Sequence, residues 1–515
     1  MLKNRRIILS FFVFSLLLFV FAFFFHNNVR HLDEFITTAY WFFALILILS
    51  LTVVAYIAQK KRYRIENVFL LMACAIGFVY LFLFPPQSPP DELSHMKTAY
   101  TYSNMLLGHP RNSVRYADVN KYYLFSHQPR LMDYIIFNAS LFETVDTRAV
   151  VIETGDLAGH TGPEPFYNYL FSALGIALGR LLGLGIVPAH MLGRLFNLSF
   201  FIAITFFAIK YMPFCKMLIF SIALLPMTMH VAASFSTDAI LNGLAFFLIA
   251  YILHLAYEKE KASFRDILLI VAVLTLIAPN KGGVYLPLAF LCLLIPREKL
   301  PTFRFKEFEF PKFSYFMSIF VPAVAFLAFN VGRVLNEAIP PEEGVWIPGR
   351  PTWETFSVSE VLLNPIRSAS IFVRTIGSNA DFYILSSFGN VLGWLEIPVQ
   401  DIFIMSFVFV TFLSVLTIEN KLLFNAKQKM IMALISVTTF SLTLIAMLIF
   451  HTWYGAETIW GVQGRYFLPV MPLIFLIFNN STIIIRKRIE HVLILSIGFL
   501  QAFTILDIFN FIIKR

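Results

Sequence analysis

Residues 65–95 read IENVFLLMACAIGFVYLFLFPPQSPPDELSH, and this stretch decides the fold. After Glu66 an uncharged apolar run continues to Phe84. About 20 such residues cross the hydrocarbon core of a bilayer as a helix. Two proline pairs then stop it, because proline lacks an N–H and restricts the residue before it. The acidic pair Asp91–Glu92 follows at the expected start of a new helix, with His95 one turn on. A span that ends in a rigid polar turn reads as a membrane helix emerging into water.

The pattern recurs along all 515 residues, of which 58% are hydrophobic, 17% aromatic and 14% charged. An average soluble protein carries about 25% charged residues, and a soluble domain has nowhere to hide 59 phenylalanines. A soluble enzyme, a disordered chain and a collagen-like fibre are excluded. The expected fold is an all-α polytopic membrane protein with about 13 transmembrane helices. The spans fall near 7–25, 36–58, 66–84, 190–209, 213–233, 237–257, 265–280, 282–296, 314–334, 400–418, 429–450, 466–485 and 490–512. MLKNRR precedes the first, and no small-residue cleavage site stands before His26, so that span is read as uncleaved. Cys74, Cys215 and Cys292 form no CxxC pair and no metal-ligand spacing.

The net charge of +9 lies in short basic clusters between apolar runs, a membrane pattern rather than a nucleic-acid one. Residues 165–186 are apolar enough to cross, with Gly175, Gly179 and Gly183 on one possible packing face. Asn168 and Ser172 extend that stripe with weak polarity, which suits an interfacial helix. If the segment does not cross, the loops 1–6, 59–64, 209–216, 258–265, 297–312, 419–429 and 486–488 share one side and hold 23 Lys and Arg against six acidic residues. Basic loops stay cytoplasmic, so 165–186 is expected to lie in the interface and the N-terminus to be cytoplasmic. Lys514 and Arg515, left outside, run against the pattern.

Four segments follow: 1–65, two N-terminal transmembrane helices; 66–334, a transmembrane module with the long outer loop 85–165; 335–399, a second outer loop with interfacial helices; and 400–515, the C-terminal helices. Loops this long usually carry function. Within the first, a carboxylate at 91 or 92 is expected either to cap the next helix or, fixed by the proline turn, to deprotonate a hydroxyl or bind a cation. His95 either shares that site or simply sits at the interface. In HVAASFSTDAILNG, Asp238 begins a span with Ser236 or Thr237 as its cap; an acid at membrane depth is costly and faces a wet interior or the headgroups. In IAPNKGGVYLP, Lys281 stands outside against the positive-inside pattern, which suits an anion site. In GVQGRYFLP, Arg465 beside Gln463 suits bidentate phosphate binding, with headgroup snorkelling as the plainer role. Carboxylates and cations on one side suit a lipid-linked phosphate substrate and an acceptor that gives up a proton.

PPDELSH, the EPFYNYL…RLFNLSF stretch with Arg194, SFSTDAILNG and NKGGVYLP resemble, in that order, the motif sequence of the C-type glycosyltransferase (GT-C) fold. More narrowly, PPDELSH with FGNVLGWLE (388–396) and GVQGRYFLP (461–469) resembles a family of bacterial multi-span membrane proteins bearing a domain of unknown function. That likeness covers about residues 66–475.

The resemblance implies a GT-C-like membrane glycosyltransferase acting at the outer face of the cytoplasmic membrane. Its donor would be a polyprenyl-phosphate-linked sugar and its acceptor an envelope glycan, glycolipid or teichoic-acid-like polymer. Asp91 would be the base and Glu92 would orient it; His95, Asp238, Lys281, Gln463 and Arg465 would bind substrate. No fixed cofactor is implied, although a divalent cation, Mg or Mn, at Asp238 is compatible. No nucleic-acid partner is expected. The rival expectations are a lipid-linked polysaccharide polymerase or ligase, and a transporter or flippase of lipid-linked sugars.

Overall fold

The computed structural model describes residues 2–515 except 33, 60–62, 116–117, 119–120, 122–123, 147–150, 154–163, 306–307, 311, 337–354, 418–423, 454, 481 and 486–487. Most of PPEEGVWIPGRPTWETF (340–356), the turn-former-rich and aromatic part of the 335–399 segment, therefore lies outside the described residues. Among those described, seven helices are long and apolar enough to cross a membrane: Ile36–Ile57, Ile65–Leu83, Ile186–Tyr211, Asp238–Tyr257, Phe313–Asn330, Ala426–His451 and Glu490–Ile513. Shorter apolar helices run over Phe11–Phe24, Asp401–Val415 and Gly464–Ile477.

Several expected spans differ in form. The apolar run 213–233 is two short helices, Lys216–Ala223 and Pro226–Ala232, broken at Leu224–Leu225. Pro226 explains the break, because its ring clashes with the carbonyl four residues back and it donates no hydrogen bond. The freed carbonyls find side-chain donors: Thr228 Oγ1 bonds Ile222 O at 2.8 Å, and Gln501 Nε2 bonds Leu224 O. Backbone groups away from water need such partners. Residues 282–296 contain a 3₁₀ helix, Leu286–Leu294, and 466–485 contain a 3₁₀ turn and the helix Met471–Ile477 rather than one continuous span.

Residues 165–186 form a 3₁₀ turn, Phe166–Tyr169, and a 12-residue helix, Leu170–Leu181. Their combined rise is about 26 Å, short of the roughly 30 Å core of a bilayer. Two of its glycines do pack closely: a Cβ on Gly175 would lie 2.3 Å from Leu192 O, and one on Gly179 2.8 Å from Ala189. Gly183 instead ends the helix at φ +68°, with Leu184 N bonding Gly179 O and Gly183 N bonding Arg180 O. That paired arrangement is a Schellman cap.

The chain divides into two compact units. The first comprises Met1–Phe247, Phe388–Leu422 and Asn480–Arg515. Its core threads Glu490–Ile513 among the N-terminal helices: Phe509 packs on Tyr40, Phe43 and Tyr134, and Tyr80 OH bonds Gln501 at 3.1 Å. The second comprises Leu248–Ser387 and Leu423–Asn479. It carries its own cluster, in which Phe356, Ile371 and Tyr383 meet Leu444, Leu448 and Phe467.

Candidate active site

The proline turn delivers the acidic pair to two opposite environments. Gln87 at φ +69° and Asp91 at φ +57° are both left-handed and bracket Pro89–Pro90. Such a conformation is uncommon for non-glycine residues, although Asp and Asn tolerate it best. The helix Glu92–Leu106 starts at once, and Asp91, in the N-cap position, makes no capping hydrogen bond with its side chain. Its carboxylate is at the surface.

Glu92 is 1% exposed. Arg194, fully buried in Ile186–Tyr211, grips it bidentately: Nε to Oε1 at 2.7 Å and Nη2 to Oε2 at 2.5 Å. The amides of Gln87 (2.9 Å) and Phe235 (3.4 Å) add to the carboxylate, and His190 Nε2 stands 3.7 Å away. Arg194 also donates to the carbonyls of Leu81, Phe84 and Pro85, the end of the span that the prolines stop. One guanidinium thus ties together the span end, the turn and the new helix. Glu92 is committed to this clamp. It lies next to Asp91 in the chain, so the clamp fixes the backbone from which Asp91 projects.

The clamp also reaches Asp238. Asn197, one turn past Arg194, donates to Ser234 O (2.7 Å) and Ser236 O (3.1 Å). Ser236 Oγ accepts from Asp238 N at 3.2 Å, the cap expected there. Asp238 is 2% exposed. Among the described residues no group of three or more His, Cys, Asp or Glu side chains is placed to hold a metal ion.

His95 is half-buried, and its Nδ1 lies 3.0 Å from Tyr169 OH. Burial raises the Tyr169 phenol above its usual range, and the charges of Glu164, Tyr102 and Asp91 push it further. The phenol is therefore held neutral within the electrostatic reach of Asp91. His95 and Tyr169 thus pair one turn after Asp91.

The second unit holds the two expected cations. Lys281, at φ +48°, and Gly282 and Gly283, at φ +68° and +85°, make a left-handed turn after Phe264–Ile277. The Lys281 ammonium sits 4.5 Å from the Tyr466 ring centroid, and the Arg465 guanidinium 5.4 Å from the same ring. Tyr285 OH donates to Tyr466 O at 2.8 Å. Arg465 is 3% exposed, so it is no snorkelling side chain. Gln463 precedes the 3₁₀ turn Gly464–Val470, and its carbonyl accepts from Tyr466 N at 3.1 Å. An apolar groove of about 300 Å³ runs between Leu286–Leu294 and Ala426–His451, lined by Pro287, Phe290, Leu293, Ile431, Leu434 and Thr438.

Sequence reading placed Arg194 in a motif but missed its partner. The signal was present, because an arginine inside HMLGRLFNL is costly unless paired. It also gave no role to Trp394 of FGNVLGWLE, whose indole N–H donates to Gln87 O at 3.3 Å.

No curated protein and no solved structure matches the chain. A family model described as "Predicted membrane protein (DUF2142)" matches residues 74–474, a stretch that includes every residue of the site, and the chain belongs to that family.

Proposed function

We propose that the protein is a GT-C-like glycosyltransferase that moves a sugar from a polyprenyl-phosphate donor to an envelope glycan or glycolipid on the outer face of the membrane. One observation carries this reading: of two adjacent carboxylates, Glu92 is consumed by a buried clamp while Asp91 is held rigidly at the surface without a capping duty. Such a carboxylate suits a general base, which must be positioned before it is useful.

In this reading the acceptor hydroxyl attacks the anomeric carbon as Asp91 takes its proton. The bond from that carbon to the phosphate oxygen breaks with its electron pair, and the lipid phosphate leaves with inversion at the sugar. His95 and Asp238 hold the acceptor. In the second unit, taken by itself, Lys281 and Arg465, with Gln463, offer cations of the kind that hold a lipid phosphate. The apolar groove lined by Phe290 and Leu434 suits an isoprenoid tail.

A carrier of lipid-linked sugars has one observation in its favour, the helix broken at Leu224–Leu225, since discontinuous helices mark many transporters. Deleting the gene and analysing the envelope glycans separates the readings. Loss of one side-chain sugar with an intact backbone supports transfer. Shortened chains point to polymerisation, and accumulation of lipid-linked sugar on the inner side to transport.

A further inference from the structure

The hairpin of FGNVLGWLEIP stands beside the Asp91 turn. Its strands, Val391–Leu392 and Ile397–Pro398, pair antiparallel, and Gly393 (φ +62°) and Leu395 (φ +70°) flank Trp394 at the tip. The hairpin is anchored at three points. Gly389 packs so closely that a Cβ there would lie 2.7 Å from Met227 N; Gly393 N donates to His230 Nε2 at 3.2 Å; and the Trp394 indole N–H donates to Gln87 O. Gln87 is the residue whose own amide donates to Glu92. Trp394 is thus tied, through one residue, to the carboxylate clamp that fixes Asp91.

Trp394 is nevertheless 41% exposed. Its ring lies 5.0 Å from that of His127, at an interplanar angle of 58°. His127 is itself at the surface, on a turn held by Asp133, whose Oδ1 accepts from Ser126 N and Oδ2 from Arg130 N, both at 2.8 Å. An interfacial anchor turns its indole N–H to headgroups and water. Here the N–H faces the protein and the hydrophobic ring is left open beside an imidazole.

We infer that Trp394 and His127 form the acceptor-saccharide subsite of the Asp91 site, an inference that rests on the transferase reading. The face of an indole is electrostatically negative. The C–H array on one face of a pyranose is its complement, while imidazole nitrogens donate to or accept from the hydroxyl rim. Stacking would set the sugar's plane against the turn and bring a ring hydroxyl towards Asp91.

The test is saturation-transfer NMR on the full chain in lipid nanodiscs, with the methyl glycosides of glucose, galactose and N-acetylglucosamine as probes. The expected result is transfer to the ring C–H protons of at least one probe, reduced fivefold or more in Trp394→Ala. Trp394→Phe keeps a flat ring but loses the bond to Gln87, and should retain at least half of the signal. Three results overturn the subsite: no transfer in the wild type, equal transfer in Trp394→Ala, or a phenylalanine variant as inactive as the alanine one. Quenching of Trp394 by brominated phospholipid with no protection from any glycoside would also overturn it, by making Trp394 a lipid anchor. The readout is binding without turnover. Glycoside contact in a chain that transfers no sugar would keep the subsite and sink the transferase reading; transfer with no contact at Trp394 would do the reverse.

Discussion

Two turns, one in each unit, use the same backbone device and support it differently. PPQSPPDE and NKGG each place a charged residue at positive φ where an apolar helix ends, Asp91 at +57° and Lys281 at +48°. The first is held by charge: a buried carboxylate and guanidinium, two further amides and three carbonyls converge beneath it. The second is held by shape. Gly283 packs so tightly on Phe326 that a Cβ would lie 2.3 Å from its ring, and Lys281 rests on Tyr466. A turn built on a buried ion pair should fail when one partner is removed, whereas one built on packing should fail when volume is added.

The sharpest break of this contrast is Arg194→Leu. It leaves Glu92 charged and buried without a counter-ion, which costs about 3–5 kcal/mol. The expected outcome is loss of folded protein on fluorescence-detected size exclusion. The double variant Glu92→Leu/Arg194→Leu should recover part of the yield, because no lone charge remains. If Arg194→Leu alone folds normally, the charge-held account of the first turn is wrong.

Next comes Asp91→Asn, which keeps size and left-handed tolerance but removes the base. Sugar transfer should fall roughly 10²-fold or more, while melting stays within about 1 kcal/mol of the parent. Near-normal transfer would favour the carrier reading.

For the second turn, Gly283→Ala should destabilise by about 1–3 kcal/mol, the usual cost of overpacking. Gly282→Ala, also at positive φ but with nothing within 4 Å of a Cβ, should cost only about 1 kcal/mol of backbone strain. Equal melting temperatures for the two would break the shape-held account. Lys281→Gln should weaken binding of a polyprenyl-phosphate probe about tenfold with little change in folding. The same experiment on Arg465 is less clean, because its burial makes charge reversal a folding insult as well as a binding one.

The smallest effect lies in the Trp394 hairpin. Burial pushes the Glu396 carboxyl up from its ordinary 4.5 to about 7, against the pull of the Glu396 and Trp394 amides and of Arg515. A carboxyl raised in the fold contributes stability that is complete below its unfolded value and lost as pH rises through the folded one. Hydrogen exchange at the hairpin should therefore slow as pH falls from about 7 to 5, after correction for the intrinsic rate. Glu396→Gln should flatten that profile, and a parallel profile would exclude Glu396 as its source.

The membrane class, most span positions, the polar turn after the third span and the chemical character of Asp91, Lys281 and Arg465 were legible in the sequence. Each follows from local information: the hydropathy of some twenty neighbours, or the fixed φ of a proline. What the tertiary structure alone decided is which carboxylate of the pair is buried against Arg194, that Pro226 breaks a span instead of kinking it, and that Trp394 leans on the Asp91 turn. Asp91 and Glu92 are chemically near-twins, and nothing adjacent distinguishes them. Their roles diverge because Arg194, about a hundred residues later, reaches one and not the other. Partners that far apart are chosen by helix packing, which no local pattern encodes.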